Sequence, residues 1–294
     1  QKQTLVYIYR YEKPTILIHN LVLKLFKVPY HTFLSHRPSN SCTIFVLLAT
    51  NLKSVQALSF NFKRFTPGDS RITLQGDAQT FANGVIALPK SSPLPPGQYF
   101  PTVGRALYTT SVPLWDSATG NGASFVTSFS FIIDTTQGPI TDGLIFFIAP
   151  PDTVIPKNST TPFLGVVDSE TSLNRFVGLE FDVYSNSWDP NTRHIGINVN
   201  SIISTKTVKW NLVSGSLVEV TIIYDSPSNT FSAVTTHEND QIFTIAQVID
   251  LKAVLPSTVQ VVLSAATLTG ESYNIHSWSF TSNLETTTSS VSDK

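Results

Sequence analysis

From Leu58 onward the chain is written in short runs of alternating apolar and polar residues, each closed by Gly, Pro, Asn or Asp. A strand sends successive side chains to opposite faces, so such a run carries one face for a core and one for its surroundings. Leu58 to Phe62 alternates in this way, and Phe125, Phe129 and Phe131 share one parity. Ile195, Ile197 and Val199 alternate, and similar runs cover Val218 to Tyr224, Phe231 to Thr235, Val259 to Ala265 and Tyr273 to Phe280. Leu144 to Ala149 is instead apolar throughout, the pattern of a strand covered on both sides. No long window has helical periodicity, and no repeat of about 20 to 50 residues is present. The pattern predicts an all-β antiparallel sandwich, a jelly roll, with no linker between residues 58 and 283.

The first 57 residues have a different character. They carry seven Lys/Arg against one acid, whereas the remainder carries twelve against nineteen, within a formal net charge of −1. Ile44 to Ala49 is a short apolar core, and Val55-Gln56-Ala57 supplies small residues before a cut after Ala57. Basic residues upstream complete the pattern of a secretory signal peptide, whose apolar core is too short to span a bilayer. Residues 1–57 are therefore read as a leader. Within it, residues 1–35 are read as upstream sequence outside the functioning protein, since the chain has no Met. Residues 58–284 form the domain, and residues 285–294 a loose Ser/Thr-rich tail. The expected location is secreted, extracellular or vacuolar. The single cysteine, Cys42, lies in the leader, so the domain has no internal disulfide. It also has no basic stripe, which argues against a nucleic-acid partner.

One strand is unlike the others. In Gly178-Leu179-Glu180-Phe181-Asp182-Val183-Tyr184, the residues Val177, Leu179, Phe181 and Val183 form an aliphatic and aromatic row. Glu180, Asp182 and Tyr184 lie on the opposite face, with Asn186 in the same parity and Asp189 and His194 a loop away. Two carboxylates on one face repel, so they need a compensating charge or a raised pKa. A divalent cation supplies that charge. Three carboxylates and an imidazole suit a transition metal such as manganese, while Asn186 and a strand carbonyl add the neutral oxygens that suit calcium. The competing reading is a solvated face with scattered acids, and a lone histidine such as His194 is more often structural than a ligand.

These residues also carry a resemblance. Glu180-x-Asp182-x-Tyr184-x-Asn186-x-x-Asp189-Pro190, followed by His194 to Ser201, is similar to the signature of the legume lectins. So are Asp142 to Pro150, Ile249 to Lys252 and Ser277 to Phe280, and the match covers about Leu58 to Leu284. The resemblance implies a jelly-roll sandwich with adjacent manganese and calcium ions. Glu180, Asp182, Asp189 and His194 would hold manganese, with Ser204 touching it through water. Asp182 and Asp189 would bridge to calcium, to which Asn186 gives its side chain and Tyr184 its carbonyl. In the sugar site Asp142 would accept hydrogen bonds from hydroxyls, Asn186 would donate one, and the Tyr184 ring would stack on the pyranose. The loop Thr267 to Tyr273 occupies the position that tunes sugar preference, with Gly270 and Glu271 as its sugar-facing residues. Partners would be glycans or glycoproteins, and the assembly a homodimer or homotetramer.

The chain departs from the family in two places. Where the family has a Gly-Gly pair whose second N–H reaches the sugar, this sequence reads Thr161-Pro162-Phe163-Leu164-Gly165, and Pro162 has no N–H. A millimolar Kd corresponds to only ~4 kcal/mol, so losing one hydrogen bond of ~0.5–1.5 kcal/mol is a large fraction. Thr141 stands where the family commonly has Ala, before an Asp whose preceding bond the family holds cis.

Other functions fit the sequence less well. A jelly-roll glycosidase needs two carboxyl groups free to flank a glycosidic bond, but here the neighbours of Glu180 and Asp182 look committed to metal. No Gly-x-Ser-x-Gly elbow supports a hydrolase triad, so the expectation is a protein that is not an enzyme. A lectin-like storage or defence protein without simple-sugar binding is favoured by Pro162 and opposed by the complete metal set. Trp115, Trp210 and Trp278 are expected in the core and Trp188 at the rim of the site. Asn158-Ser159-Thr160 is an N-glycosylation sequon in a loop.

Overall fold

The computed structural model describes residues 53–89, 100–134, 141–170, 172, 174–268 and 271–287. Most of the expected leader and residues 288–294 of the expected tail therefore lie outside the described residues.

Two antiparallel sheets of eight strands each make the fold. The first holds β1 (Lys53–Phe62), β3 (Gln79–Thr80), β4 (Ile86–Leu88), β7 (Ser124–Asp134), β12 (Val218–Asp225), β13 (Thr230–His237), β14 (Ile242–Val248) and β16 (Ser272–Thr287). The second holds β2 (Ile72–Gly76), β5 (Thr102–Tyr108), β6 (Val112–Pro113), β8 (Gly143–Ala149), β9 (Val177–Asp182), β10 (His194–Val199), β11 (Lys206–Lys209) and β15 (Thr258–Thr267). The first sheet runs β14-β13-β12-β7-β16-β4-β3 with β1 against β16; the second runs β11-β10-β9-β8-β15-β5-β2 with β6 against β15. A four-residue helix, α1 (Leu251–Val254), is capped by Asp250, whose side chain accepts the Lys252 N–H at 3.0 Å. β1 already begins at Lys53, before the expected domain start at Leu58, and pairs with β16 along its whole length. β16 in turn continues to Thr287, beyond Leu284.

The alternation seen in the sequence builds the main core. Phe129 and Phe131 of β7 meet Phe146 of β8 and Phe181 of β9, with ring centroids 5.1 to 6.3 Å apart, and Val177, Leu179 and Val183 lie in the same cluster. Full burial of one such side chain contributes about 1.5–3 kcal/mol. Trp210 and Trp278 are buried there as expected, with their N–H groups satisfied by His237 at 2.7 Å and Thr127 at 3.1 Å. Trp115 packs at the edge of the same core and donates to the Leu255 carbonyl.

The apolar run of β8 is explained by a second, smaller core. Leu144, Phe146 and Ile148 face the first sheet, while Ile145, Phe147 and Ala149 face outward into a cluster closed by Leu164, Val166 and Phe176. The polypeptide between β8 and β9 therefore folds over the outer face of the second sheet. That covering fixes the position of the functional loops.

Candidate functional site

The polar face of β9 is not solvated. Glu180 is buried, and Asp182 is only 8% exposed. In the sheet Asp182 lies between Gly143 of β8 and His194 of β10, and Glu180 lies between Ile145 and Gly196. Ligand atoms of Asp182, Asp189 and His194 all lie within 4.8 Å of one another. His194 Nε2 is 3.3 Å from Glu180 Oε1. The Ser204 hydroxyl donates directly to the same Glu180 oxygen, where contact with metal through water was expected. A Cβ added at Gly196 would sit 2.6 Å from Glu180 Oε1 and against Ser204 Oγ, so glycine keeps this space open.

The loop after β9 folds back on the acids. Asp182 Oδ1 accepts the Tyr184 N–H at 2.8 Å, and Asp189 Oδ2 accepts the Asn186 N–H at 2.8 Å. Asp189 N–H returns to the Asn186 carbonyl at 3.2 Å, and Arg193 Nε reaches the Val183 carbonyl at 3.3 Å. The Tyr184 ring is left 51% exposed beside half-buried Asn186.

Electrostatics mark the same spot. Burial, reinforced by the charges of Glu180 and Asp189, pushes Asp182 up to about 8. Asp189 is also raised, mainly by burial. Burial pulls His194 down, but its hydrogen bond to Glu180 and the charges of Glu180, Asp182 and Asp189 outweigh this and raise it. Acidic groups are thus gathered in one buried space. The donor set and the room opened by Gly196 fit a divalent metal.

Asp142 sits at the end of β8. It is 7% exposed, has φ 56°, and its carbonyl accepts the Val183 N–H at 2.9 Å. Its Oδ2 is buried with no hydrogen-bond partner among the described residues. Burial raises its carboxyl to about 7; the hydrogen bond from Thr141 opposes this and the nearby Glu271 charge adds to it. The Thr141–Asp142 bond is not cis; the cis bond among the described residues is Leu88–Pro89.

The expected sugar loop departs from its reading at Glu271. Gly270 lies outside the described residues. Glu271 does not present its carboxylate to a ligand: it is 1% exposed, and its Oε1 accepts both the N–H and the hydroxyl of Thr141, at 2.5 and 2.9 Å. The direct sugar contact expected of Glu271 is corrected on that ground, since a buried acceptor engaged by Thr141 is turned away from the surface.

Pro162 lies in a 3-10 turn, Thr161–Phe163, with Thr161, Leu164 and Gly165 all at positive φ. Its neighbours do not replace the missing donor. Phe163, Leu164, Gly165 and Val166 all direct their N–H groups to carbonyls at Thr160, Thr161, Ser159 and Phe163. The turn is gripped from below by a cross-strand pair, Arg105 on β5 and Ser264 on β15. Ser264 Oγ donates to the Leu164 carbonyl at 2.6 Å, and Arg105 Nη2 donates to the Gly165 carbonyl. Arg105 is fully buried, lies 5.1 Å over the Phe147 ring and donates to Thr153 Oγ1 at 3.2 Å. Burial lowers its guanidinium to about 9. The Phe163 ring stacks flat on Trp188, 6.2 Å away at 6°, joining this turn to the metal loop. Asn158, the sequon residue, is exposed at φ 60° in the preceding loop.

Sequence reasoning missed Arg105, Ser264, Gly196 and the Phe163–Trp188 stack. An arginine inside the strand Thr102–Tyr108 was the one visible signal, because a charge flanked by apolar residues in a strand calls for a specific partner.

Comparison with known proteins gives a consistent result. The family model described as legume lectin domain matches residues 57–294. The nodule lectin of Pisum sativum is 75% identical over 250 residues, covering 85% of this chain and 93% of that protein. The non-seed lectin of Pisum sativum is 66% identical over 249 residues, covering 84% and 93%. Among solved structures, the seed lectin of Lotus tetragonolobus superposes with a TM-score of 0.72 at 52% identity, covering 77% of this chain and 99% of that one.

Proposed function

The chain belongs to the legume lectin family, and we propose that it binds glycans at the end of the second sheet, where Asp142, Tyr184 and Asn186 meet, through a site organised by calcium and manganese. It is a carbohydrate-binding protein and not an enzyme, in keeping with relatives that are named lectins. The observation that carries the site assignment is the buried Asp142 Oδ2 without a partner among the described residues, directly before Gly143, which pairs with Asp182 across β8 and β9.

Glu180, Asp182, Asp189 and His194 are the residues proposed to hold manganese, with Ser204 behind Glu180. Asp182 and Asp189 would also serve calcium, together with the Asn186 side chain and the Tyr184 carbonyl. When bound, the ions supply fixed positive charge that neutralises the acids. The work on the sugar is done by this chain's own groups. Asp142 accepts from hydroxyls, Asn186 donates, and the exposed Tyr184 ring covers an apolar sugar face. Preorganisation matters because a monosaccharide has little binding energy to spare for ordering loops.

The turn at Pro162 supports a preference for larger glycans. It offers no free N–H between residues 162 and 166, so a single sugar ring has one polar partner fewer. The second reading, a storage or defence protein without simple-sugar binding, rests on that same turn. The protein is further proposed to be secreted, extracellular or vacuolar, N-glycosylated at Asn158, and a homodimer or homotetramer. No helix among the described residues is long and apolar enough to cross a membrane.

A glycan array probed with and without chelator tests the assignment. Binding to oligosaccharides that disappears on chelation is expected. Absence of any glycan binding with both metals supplied refutes the carbohydrate site.

A further inference from the structure

We propose that Glu271 is a positioning residue of the glycan site, holding Asp142 in its receptive conformation through Thr141. This rests on the carbohydrate reading of Asp142 given above.

The N–H, hydroxyl and carbonyl of Thr141 are all engaged. Its N–H donates to Glu271 Oε1 at 2.5 Å and its hydroxyl donates to the same oxygen at 2.9 Å. The hydroxyl oxygen also accepts the Leu268 N–H at 3.0 Å and lies 3.3 Å from Thr267 Oγ1. The Thr141 carbonyl accepts the Tyr273 hydroxyl at 2.8 Å. All three polar groups of this one residue are thus tied to the segment between Thr267 and Tyr273. The following residue, Asp142, is tied on its other side to β9 through Val183.

Asp142 therefore sits between two anchors with a left-handed backbone, φ 56°, which a non-glycine residue keeps only where its surroundings over-determine it. Within that grip its Oδ2 has no partner among the described residues. Glu271 is central because one of its oxygens accepts from both Thr141 donors. At 1% exposure it reaches the sugar only through what it positions. The loop at Leu268 and the acceptor at Asp142 become one mechanical unit, so changes in that loop are felt at Asp142 without any contact of their own.

The test compares wild type, Glu271→Ala and Glu271→Gln, each with calcium and manganese supplied. Metal content is measured by elemental analysis. Affinity is measured by calorimetry with the oligosaccharide that wild type binds best on the array, and hydrogen exchange is followed at the Thr141 and Leu268 amides. The alanine variant is expected to keep its metals, to lose about tenfold in affinity, and to exchange faster at both amides. Glutamine, whose amide oxygen still accepts from both donors, should restore most of the affinity and protection. A metal-loaded alanine variant with wild-type affinity overturns the proposal, as does a glutamine variant no better than alanine. If wild type binds no glycan, the carbohydrate reading is what fails. The exchange measurement then decides the positioning role alone: unchanged protection in the alanine variant overturns it, and selective loss restored by glutamine supports it.

Discussion

Asp182→Asn separates the cost of an acidic site from its use. In the folded chain without metal, Asp182 is held up to about 8 from 3.8, first by burial and then by the charges of Glu180 and Asp189. A raised carboxyl means that the folded state binds its proton more tightly than the unfolded state does. The group costs nothing below the unfolded value, and stability is lost as pH rises through the folded one. At pH 7 the upper bound is 1.36 × (7 − 3.8), about 4 kcal/mol, and relaxation and coupling among the acids reduce it to about 1–4 kcal/mol. Asparagine keeps the shape and the oxygen that accepts the Tyr184 N–H, but carries no charge. In chelator at pH 7 the variant should therefore melt above wild type, by several degrees. With calcium and manganese present the order should reverse, since wild type gains stability by linkage and the variant lacks a bridging ligand. Asp142, Asp189 and His194 are raised as well, so chelated wild type should lose stability steadily from pH 5 to pH 8. Scanning calorimetry at pH 5, 7 and 8, with chelator and with metals, measures all of this. A chelated variant that melts at or below wild type at pH 7 and 8 refutes the reasoning.

Gly196→Ala should abolish metal binding while leaving the sandwich folded, because the new methyl occupies the space between Glu180 and Ser204; two ions per chain by elemental analysis would contradict it. Pro162→Gly should restore an N–H and tighten monosaccharide binding by no more than ~1 kcal/mol, the added loop freedom offsetting part of the gain. Calorimetry with mannose, glucose and galactose measures it, and tight wild-type binding unchanged by the substitution would remove Pro162 from the site. Asn158→Gln should remove a glycan mass from protein expressed through a secretory pathway, as read by intact-mass spectrometry; an unchanged mass rules out occupancy.

Much of this was legible in the chain because strand parity is a local code. The row Val177, Leu179, Phe181, Val183 predicted which face of β9 meets the core, and the unbroken run Leu144 to Ala149 predicted a strand covered twice. The proposed metal-holding residues stand out because four of them lie within fifteen residues of one strand and loop. What stayed hidden depends on contacts between distant segments. Arg105 and Ser264 become neighbours only through the register of β5 and β15, and they then grip a turn 60 and 100 residues away. Glu271 was visible as a residue near the site, but its direction was not, since nothing local says that its carboxylate turns inward to Thr141. Ser204 was expected to touch manganese through water, and its direct bond to Glu180 depends on the close packing permitted by Gly196.

The two-faced strand Val177–Asp182 sets where length can change in this protein. Inserting or deleting one residue within it would exchange its faces, sending Glu180 and Asp182 into the aromatic core and Leu179 and Phe181 toward the ion site. Both the fold and the chemistry would be lost in one step, with no viable half-measure. The connection between β15 and β16 is under no such rule, because a residue added there leaves the parity of every strand intact. New glycan preferences are therefore most accessible through loops of altered length above a frame whose residue count is frozen.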